Sequence, residues 1–506
     1  MPSAQPLLSR SLLEDLLIRR RGATELPPPS LLTAPETILQ FGSGRFLRGF
    51  IEDFVQVANA DGNYSGRIVA VQRDTDHRSE AAERQDYLYT LILRGVGEGG
   101  RTEVKLIIAS ISRLLVASRD WNAILAVGAN PQIRVIVSNA TEAGLSLDPA
   151  DTADSKPPRS FVGKLTLVLA ERWRSTAGTD ADVAVIPCEL VQENGPLLES
   201  LILDQARAWN LPGEFDAWVR TSVHIANTLV DRIVVGTPRR EVLEAEWETL
   251  GYRDEVLDIA EPFYLLVMEA DAFVRRHFPL DRVLPNVKYV DSLRPYRMRK
   301  LRILNGPHMI LAPVGRLLGL ETVLEAMADA QLGRLVEEAI FQEIIPAMDP
   351  GDESANASYA HQIVERFRNP AIEHKLLGIC TEITTKTGIR LFPTIRDHMQ
   401  RRGALPERML LALAAMVMVV RDPAVQDAHG GYIRDRWTSV DMGSSEALLA
   451  FTSDVLTHQS EWSHESIDVS AVGPAVADLL RRLDADGLRV VIARRYGLRT
   501  EGGVFG

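Results

Sequence analysis

The chain has 506 residues, 46% of them hydrophobic and 25% charged, and a formal net charge of -12 at pH 7. That length exceeds what one core usually organises, so two domains are expected, and the acidic balance speaks against a nucleic-acid surface while leaving any anionic ligand dependent on its own cluster of Arg or Lys. Two distant cysteines, Cys188 and Cys380, support neither a disulfide framework nor a cysteine zinc site, and the longest apolar run, Met409 to Val420, falls well short of the ~20 residues of a membrane span. With Arg10, Glu14, Asp15 and Arg19 interrupting the first leucines, no signal-like core is present, and a soluble cytoplasmic protein without a membrane partner is expected.

Taken in order, residues 1–34 read as a leucine-rich helix packed on the surface, followed by the breaker Pro27-Pro28-Pro29. Glu36 to Phe41 is a strand candidate that ends at Gly42-Ser43-Gly44, and Phe46, Phe50, Phe54 and Val57 then recur at helical spacing through Asn59. A strand, a glycine turn and a helix together form the context in which Gly-x-Gly can cradle a pyrophosphate, because glycines permit close approach and the helix start offers free amides. Leu47 stands where the third glycine of the usual dinucleotide fingerprint belongs, so the motif alone is weak. Arg67 to Gln72 is the next strand, and Arg73-Asp74 at its end point in opposite directions: an acid suits the ribose hydroxyl of NAD, an Arg the extra phosphate of NADP. Spacing leaves that choice open.

Tyr87 to Arg94 and Thr102 to Ile107 read as a hairpin around Gly95 to Gly100, with further strands at Ile133 to Ser138 and Val183 to Pro187. Helices at Trp121 to Val127 and Gly163 to Trp173 fill the gaps, which predicts a mostly parallel sheet covered on both faces. After about residue 294 the pattern is almost purely helical: Leu320 to Leu332, Arg334 to Ile345, Ala357 to Phe367, Glu373 to Ile379 and Pro406 to Val420. From Val472 the tail reads as one more helix and a loose, glycine-rich end.

The most informative stretch is Met298 to Leu311, a helix pattern with Lys300, Asn305 and His308 inside it. At ~100° per residue, positions 300, 304 and 308 share one face with Asn305 beside them. Gly306-Pro307 should break that face, since proline removes a helix amide at a cost of ~3 kcal/mol. A snorkelling Lys and a satisfied core His would explain the same letters. The alternative is a bent element that shapes a pocket lined by a Lys, an amide and an imidazole.

Lys300-x4-Asn305-x2-His308, together with Val290 to Lys300, Val137 to Gly144, Ile186 to Leu190 and Leu229 to Val234, resembles the long-chain polyol dehydrogenases, the mannitol dehydrogenase family. Within it the match is nearest to the branch that acts on a keto-hexuronate. The resemblance implies an α/β, Rossmann-like, mostly parallel N-terminal domain over 35–293 after an extension at 1–34, and a largely α-helical substrate domain over 294–506. It implies NAD as cofactor, metal-free ketone reduction in which Lys300 is the acid/base and Asn305 and His308 donate hydrogen bonds to the developing oxyanion, and interconversion of D-tagaturonate and D-altronate. Fructuronate or mannitol oxidoreduction stays open, as does a non-catalytic binding protein, although mere binding would not require a titratable Lys. The family's shortened Gly-x-Gly-x-Phe form strengthens the loop, placing Phe41, Gly42, Ser43, Gly44, Arg45, Phe46 and Arg73 at the cofactor. Asn139 and Glu142 would line the nicotinamide side, and Asp231 would lie beside the active lysine unless it merely pairs with Arg232.

A hexuronate carries a carboxylate, for which Arg is the natural bidentate partner. Arg366 and Lys386 correspond to substrate-side positions in the family, with His374, Arg390, Arg297 and Asn194 as further candidates. Arg297 stands where the polyol branch commonly has a glutamate, three residues before the lysine, so a proton path cannot be carried over from that branch.

Overall fold

A computed structural model describes residues 5–19, 24–97, 100–140, 144–176, 181–371, 373–458 and 465–497. The chain divides into two compact units, Met1–Leu293 and Arg294–Gly506.

The first unit is built on six parallel strands: β1 (Glu36–Phe41), β2 (Arg67–Gln72), β3 (Ile111–Val116), β4 (Val135–Ser138), β5 (Val183–Pro187) and β6 (Val223–Ile225). Their spatial order is β3-β2-β1-β4-β5-β6, the order of a dinucleotide-binding Rossmann sheet, with the reversal between β1 and β4. Successive strand residues point to opposite faces, and both faces are apolar. Leu39, Val69, Ile136 and Val185 join one core with Trp121, Ile124, Leu165 and Val168, while Ile38, Ile68, Val137 and Ile186 join another with Phe50, Phe54 and Val55. The covering helices include α1 (Ile51–Asp61), α2 (His77–Arg84), α3 (Ala117–Ala129), α4 (Phe161–Thr176) and α5 (Asn194–Ala208). A smaller sheet of 227–231, 265–269 and 287–290 also belongs to this unit.

Two expectations change here. The leading segment does more than coat the surface. Thr24-Glu25 pairs in parallel with Lys105-Leu106 at the edge of a second, five-stranded sheet, and Leu8, Leu13 and Leu31 are fully buried against Leu88, Ile107 and Tyr252. The helix expected from Phe46 is also interrupted. Arg45–Arg48 is a single turn, and α1 starts only at Ile51, because Phe50 takes non-helical angles and Gly49 lies so close to Val234 that a Cβ would meet its methyls at 2.8 Å.

The second unit is helical around one continuous core. The apolar run is a core helix, Glu407–Val419, nearly all of it buried, and no helix among the described residues is long and apolar enough to cross a membrane. Between Val323–Ala328 and Ala330–Ala339 the break falls at Asp329, four residues before the expected one, because the Asp329 carboxylate accepts the Gln331 and Leu332 amides. Gly333 lies inside the helix, where a Cβ would approach the Met327 carbonyl oxygen to 2.5 Å. The 20-residue helix Ile383–Arg402 was not anticipated, since threonines and an internal Pro393 disguise it. The tail forms two helices, Val469–Asp486 and Leu488–Tyr496; its glycine-rich end lies outside the described residues.

Candidate active site

In the first unit, the carboxyl ends of β1 and β4 open onto a cleft of about 890 Å³, at the point where the strand order reverses. Open α/β sheets bind ligands there. The loop that forms its floor is shaped by Gly42, whose φ of +114° is open to glycine and strained for other residues. Its amide donates to the Val71 carbonyl, and the Asn139 amide donates to Phe41, so the loop is tied to both neighbouring strands. At Gly44 an added Cβ would meet nothing within 4 Å, so the backbone is bare toward open space. A pyrophosphate requires such an approach.

Phe41, Gly42, Ser43, Gly44, Arg73 and Asn139 all line this cleft. The Ser43 hydroxyl donates to Gln72 at 2.7 Å, and the Asn139 amide group donates to the Cys188 carbonyl at 2.6 Å. Arg73 and Asp74, which both line the cleft, form an exposed ion pair at 2.8 Å. Arg45 and Phe46 turn away: Arg45 donates to the Val235 carbonyl and Phe46 stacks on Phe50. Glu142 lies outside the described residues. Asp231 is buried at the end of strand 227–231 and does not line the cleft, and Arg232 pairs with Asp53 at 2.7 Å. Asn194 is fully buried, its carboxamide engaged by the Pro187 and Glu189 carbonyls and by the Thr228 hydroxyl and amide. That side chain locks the loop after β5 and has no donor left for a substrate, which corrects its placement as a contact.

Sequence reasoning missed the opposite wall, Arg159, Ser160, Phe161 and Lys164 at the start of α4. The signal was there in part: Asp151 accepts the Arg159 and Ser160 amides, and Ser160 accepts from Gly163, which is the chemistry of a helix start. Burial lowers the Lys164 ammonium below its usual range, and it donates to the Arg159 carbonyl at 2.7 Å.

In the second unit, α6 (Arg294–Arg299) continues into a π-helical segment, Lys300–Asn305, and then into α7 (Gly306–Leu317). The expected break is thus a change of winding. The Gly306 amide bonds back to the Leu301 carbonyl, five residues away, and Pro307 sits where a new helix begins and its missing amide costs little. The consequence is geometric. With α winding, residue 305 points well away from residue 300; the wider π turn brings position i+5 back toward position i. Lys300 and Asn305 are partly exposed, while His308, one turn into α7, is buried.

The His308 Nε2 has no hydrogen-bond partner among the described residues. Its ring packs on Phe367 at 4.8 Å and against the edge of His374 at 5.2 Å. Burial holds its pKa well below the ordinary imidazole value, and His374, Arg390, Arg366 and Lys386 lower it further, so it is neutral at pH 7. Arg366 ends α8 (Glu353–Phe367), and Lys386 and Arg390 stand one turn apart on α9 (Ile383–Arg402). His374 is fixed by a backbone pair, its carbonyl accepting from Val323 while Leu376 donates to Glu321. Burial lowers the pKa of Lys386, with Arg390 adding to it, and burial lowers that of Arg390 as well. Three sequence-selected cations and the His374 ring therefore act on one imidazole. Arg297 lies on α6, where burial lowers its guanidinium below the usual range. Among the described residues no group of three or more His, Cys, Asp or Glu side chains could hold a metal ion.

Residues 36–282 match the mannitol dehydrogenase Rossmann domain and residues 292–447 the mannitol dehydrogenase C-terminal domain. The chain belongs to the mannitol dehydrogenase family. Relatives in that family include altronate oxidoreductases from Klebsiella pneumoniae (strain 342), 42% identical over 89% of this chain and 94% of the relative. Another, from Cronobacter sakazakii, is 39% identical over 91% of this chain and 96% of its own. Among solved structures, Pseudomonas fluorescens mannitol 2-dehydrogenase in ternary complex with NAD and D-mannitol has a TM-score of 0.71 at 22% identity, covering 97% of this chain and 100% of that one. A substrate-free D-sorbitol dehydrogenase reaches 0.79 at 23% identity, over 95% and 99%. At such identities the two structures speak for the fold, and both halves of the family architecture are present here.

Proposed function

We propose that the chain is an NAD-dependent reductase of D-tagaturonate that forms D-altronate reversibly and without a metal. The observation that carries this reading is the set of three cations, Arg366, Lys386 and Arg390, that act with the neutral His374 ring on His308. A polyol offers them only neutral hydroxyls, whereas a keto-hexuronate offers a carboxylate. The names of the relatives, altronate oxidoreductases at 36–42% identity, point to the same substrate class.

The bare loop at Gly42–Gly44 and the cleft above it fit a nicotinamide dinucleotide, which supplies the hydride when bound. Lys300 gives its proton to the alkoxide oxygen in reduction and takes it back in oxidation. Asn305 donates to the same oxygen, and neutral His308 does so when its unpartnered Nε2 carries the ring proton. Held neutral, His308 adds no repulsion to the protonated Lys300.

The test is NADH oxidation by purified protein with tagaturonate, fructuronate and fructose, with and without EDTA. Tagaturonate turnover that exceeds both others and ignores the chelator is expected. Preference for fructose would refute the acid substrate, and inhibition reversed by zinc would refute the metal-free chemistry.

A further inference from the structure

The cleft in the first unit holds a cation that neither the sequence motif nor the family resemblance selects. Arg78, in the first turn of α2, lines the cleft together with Gly42–Gly44 and shares a small recess with Ser43, Gln72 and Arg48. Its Nη2 donates to Asp258 Oδ1 at 2.7 Å and reaches the Thr237 hydroxyl at 3.4 Å. Asp258 is fully buried and serves two guanidiniums at once, because Arg48 Nε donates to its other oxygen at 2.6 Å.

One buried carboxylate is shared between two arginines. Glu52 also acts on both and Asp254 on Arg48, and burial raises the pKa of Asp254 toward the neutral form. Glu52 is fully buried, accepts from Gln40 and Tyr89, and burial raises its pKa toward the neutral form. Asp74 is paired with Arg73, and Asp76 caps α2 by accepting the Ser79 amide. Arg78 itself is lowered by burial and by Arg48 despite Asp258, and its Nε is a buried donor without a partner among the described residues. A third of its side chain remains exposed, beside the loop whose backbone is bare at Gly44. The arrangement is a guanidinium anchored on one edge and open to the cleft on the other.

We propose that Arg78 binds a phosphate of the dinucleotide, either the pyrophosphate or a 2′-phosphate, and supplies the charge that the two-glycine loop lacks. The inference rests on the dinucleotide reading of the cleft. Fluorescence titration of the full chain with NADH and with NADPH tests both. Wild type should bind NADH. Arg78→Met and Arg78→Gln, the latter keeping a donor for Asp258, should weaken binding about 10- to 100-fold, as loss of a charged hydrogen bond implies. Arg78→Lys should recover most of the loss. Equal loss for NADH and NADPH assigns the pyrophosphate; loss for NADPH alone assigns the 2′-phosphate. Thermal midpoints of the variants separate binding from folding, since Arg48 still pairs Asp258 in each. Affinities of folded Arg78→Gln within twofold of wild type for both dinucleotides overturn the proposal. Failure of wild type to bind either overturns the dinucleotide reading with it.

Discussion

Lys300 and His308 sit in one helix yet make opposite demands on their surroundings. Lys300 is partly exposed at the start of the π segment, where a proton can be exchanged. Lys300→Ala should lower turnover by ~10²-fold or more, because proton transfer is lost while the cofactor cleft is untouched. Steady-state rates beside NADH titration check this, and near-normal turnover at neutral pH would remove Lys300 from the chemistry. His308 instead must stay neutral. Burial holds its pKa well below 6.5, with His374 and the cations Arg390, Arg366 and Lys386 adding to it, and burial lowers that of His374 too. Between the folded and unfolded values the unfolded chain binds more protons, so their contribution to stability is full above the unfolded pKa and is lost as pH falls through the folded one. Urea unfolding between about pH 8 and about pH 5 should show an acid loss that shrinks in the His308→Asn, His374→Asn double variant. The same pH slope in both proteins would contradict the assignment.

At the scale of elements, the Rossmann strands were legible because each is a short apolar run bounded by glycine or polar turns, and β1, β2 and β5 fall where the pattern puts them. The π segment was not legible. Gly306-Pro307 announced an irregularity, but a proline lacking one amide is compatible with a kink, a break or a wider turn, and only the packing of Ile303 and Leu304 into the core selects among them. Helix α9 was missed for a related reason: its polar face, including Lys386 and Arg390, dilutes the apolar period that would have revealed it. The glycine loop offers a clean element-level test. Gly44 has extended angles that a branched residue accepts, with φ -71° and ψ 164°, and no atom within 4 Å of an added Cβ. Gly44→Val should therefore fold with an unchanged thermal midpoint and lose NADH binding. Retained affinity would take the loop out of the site.

On the scale of the whole molecule, the two units divide the work. The first carries the cleft and its glycine loop; the second carries the cations and Lys300, Asn305 and His308, to which the proposed function gives the proton and the oxyanion contacts. An acidic chain of net charge -12 that acts on an anion needs such a local positive cluster, because its overall field opposes the substrate. The central claim is that this cluster selects an acid over a neutral ketose. A charged hydrogen bond out of water contributes ~1.5–3 kcal/mol, or about one to two powers of ten. The most direct measurement is kcat/KM for tagaturonate relative to fructose in wild type and in Arg366→Met, Lys386→Met, Arg390→Met and Arg297→Met. The account predicts that the ratio falls by about ten- to a hundredfold in at least one of the four variants, through KM for tagaturonate. A wild-type ratio in all four would mean that the carboxylate is read elsewhere.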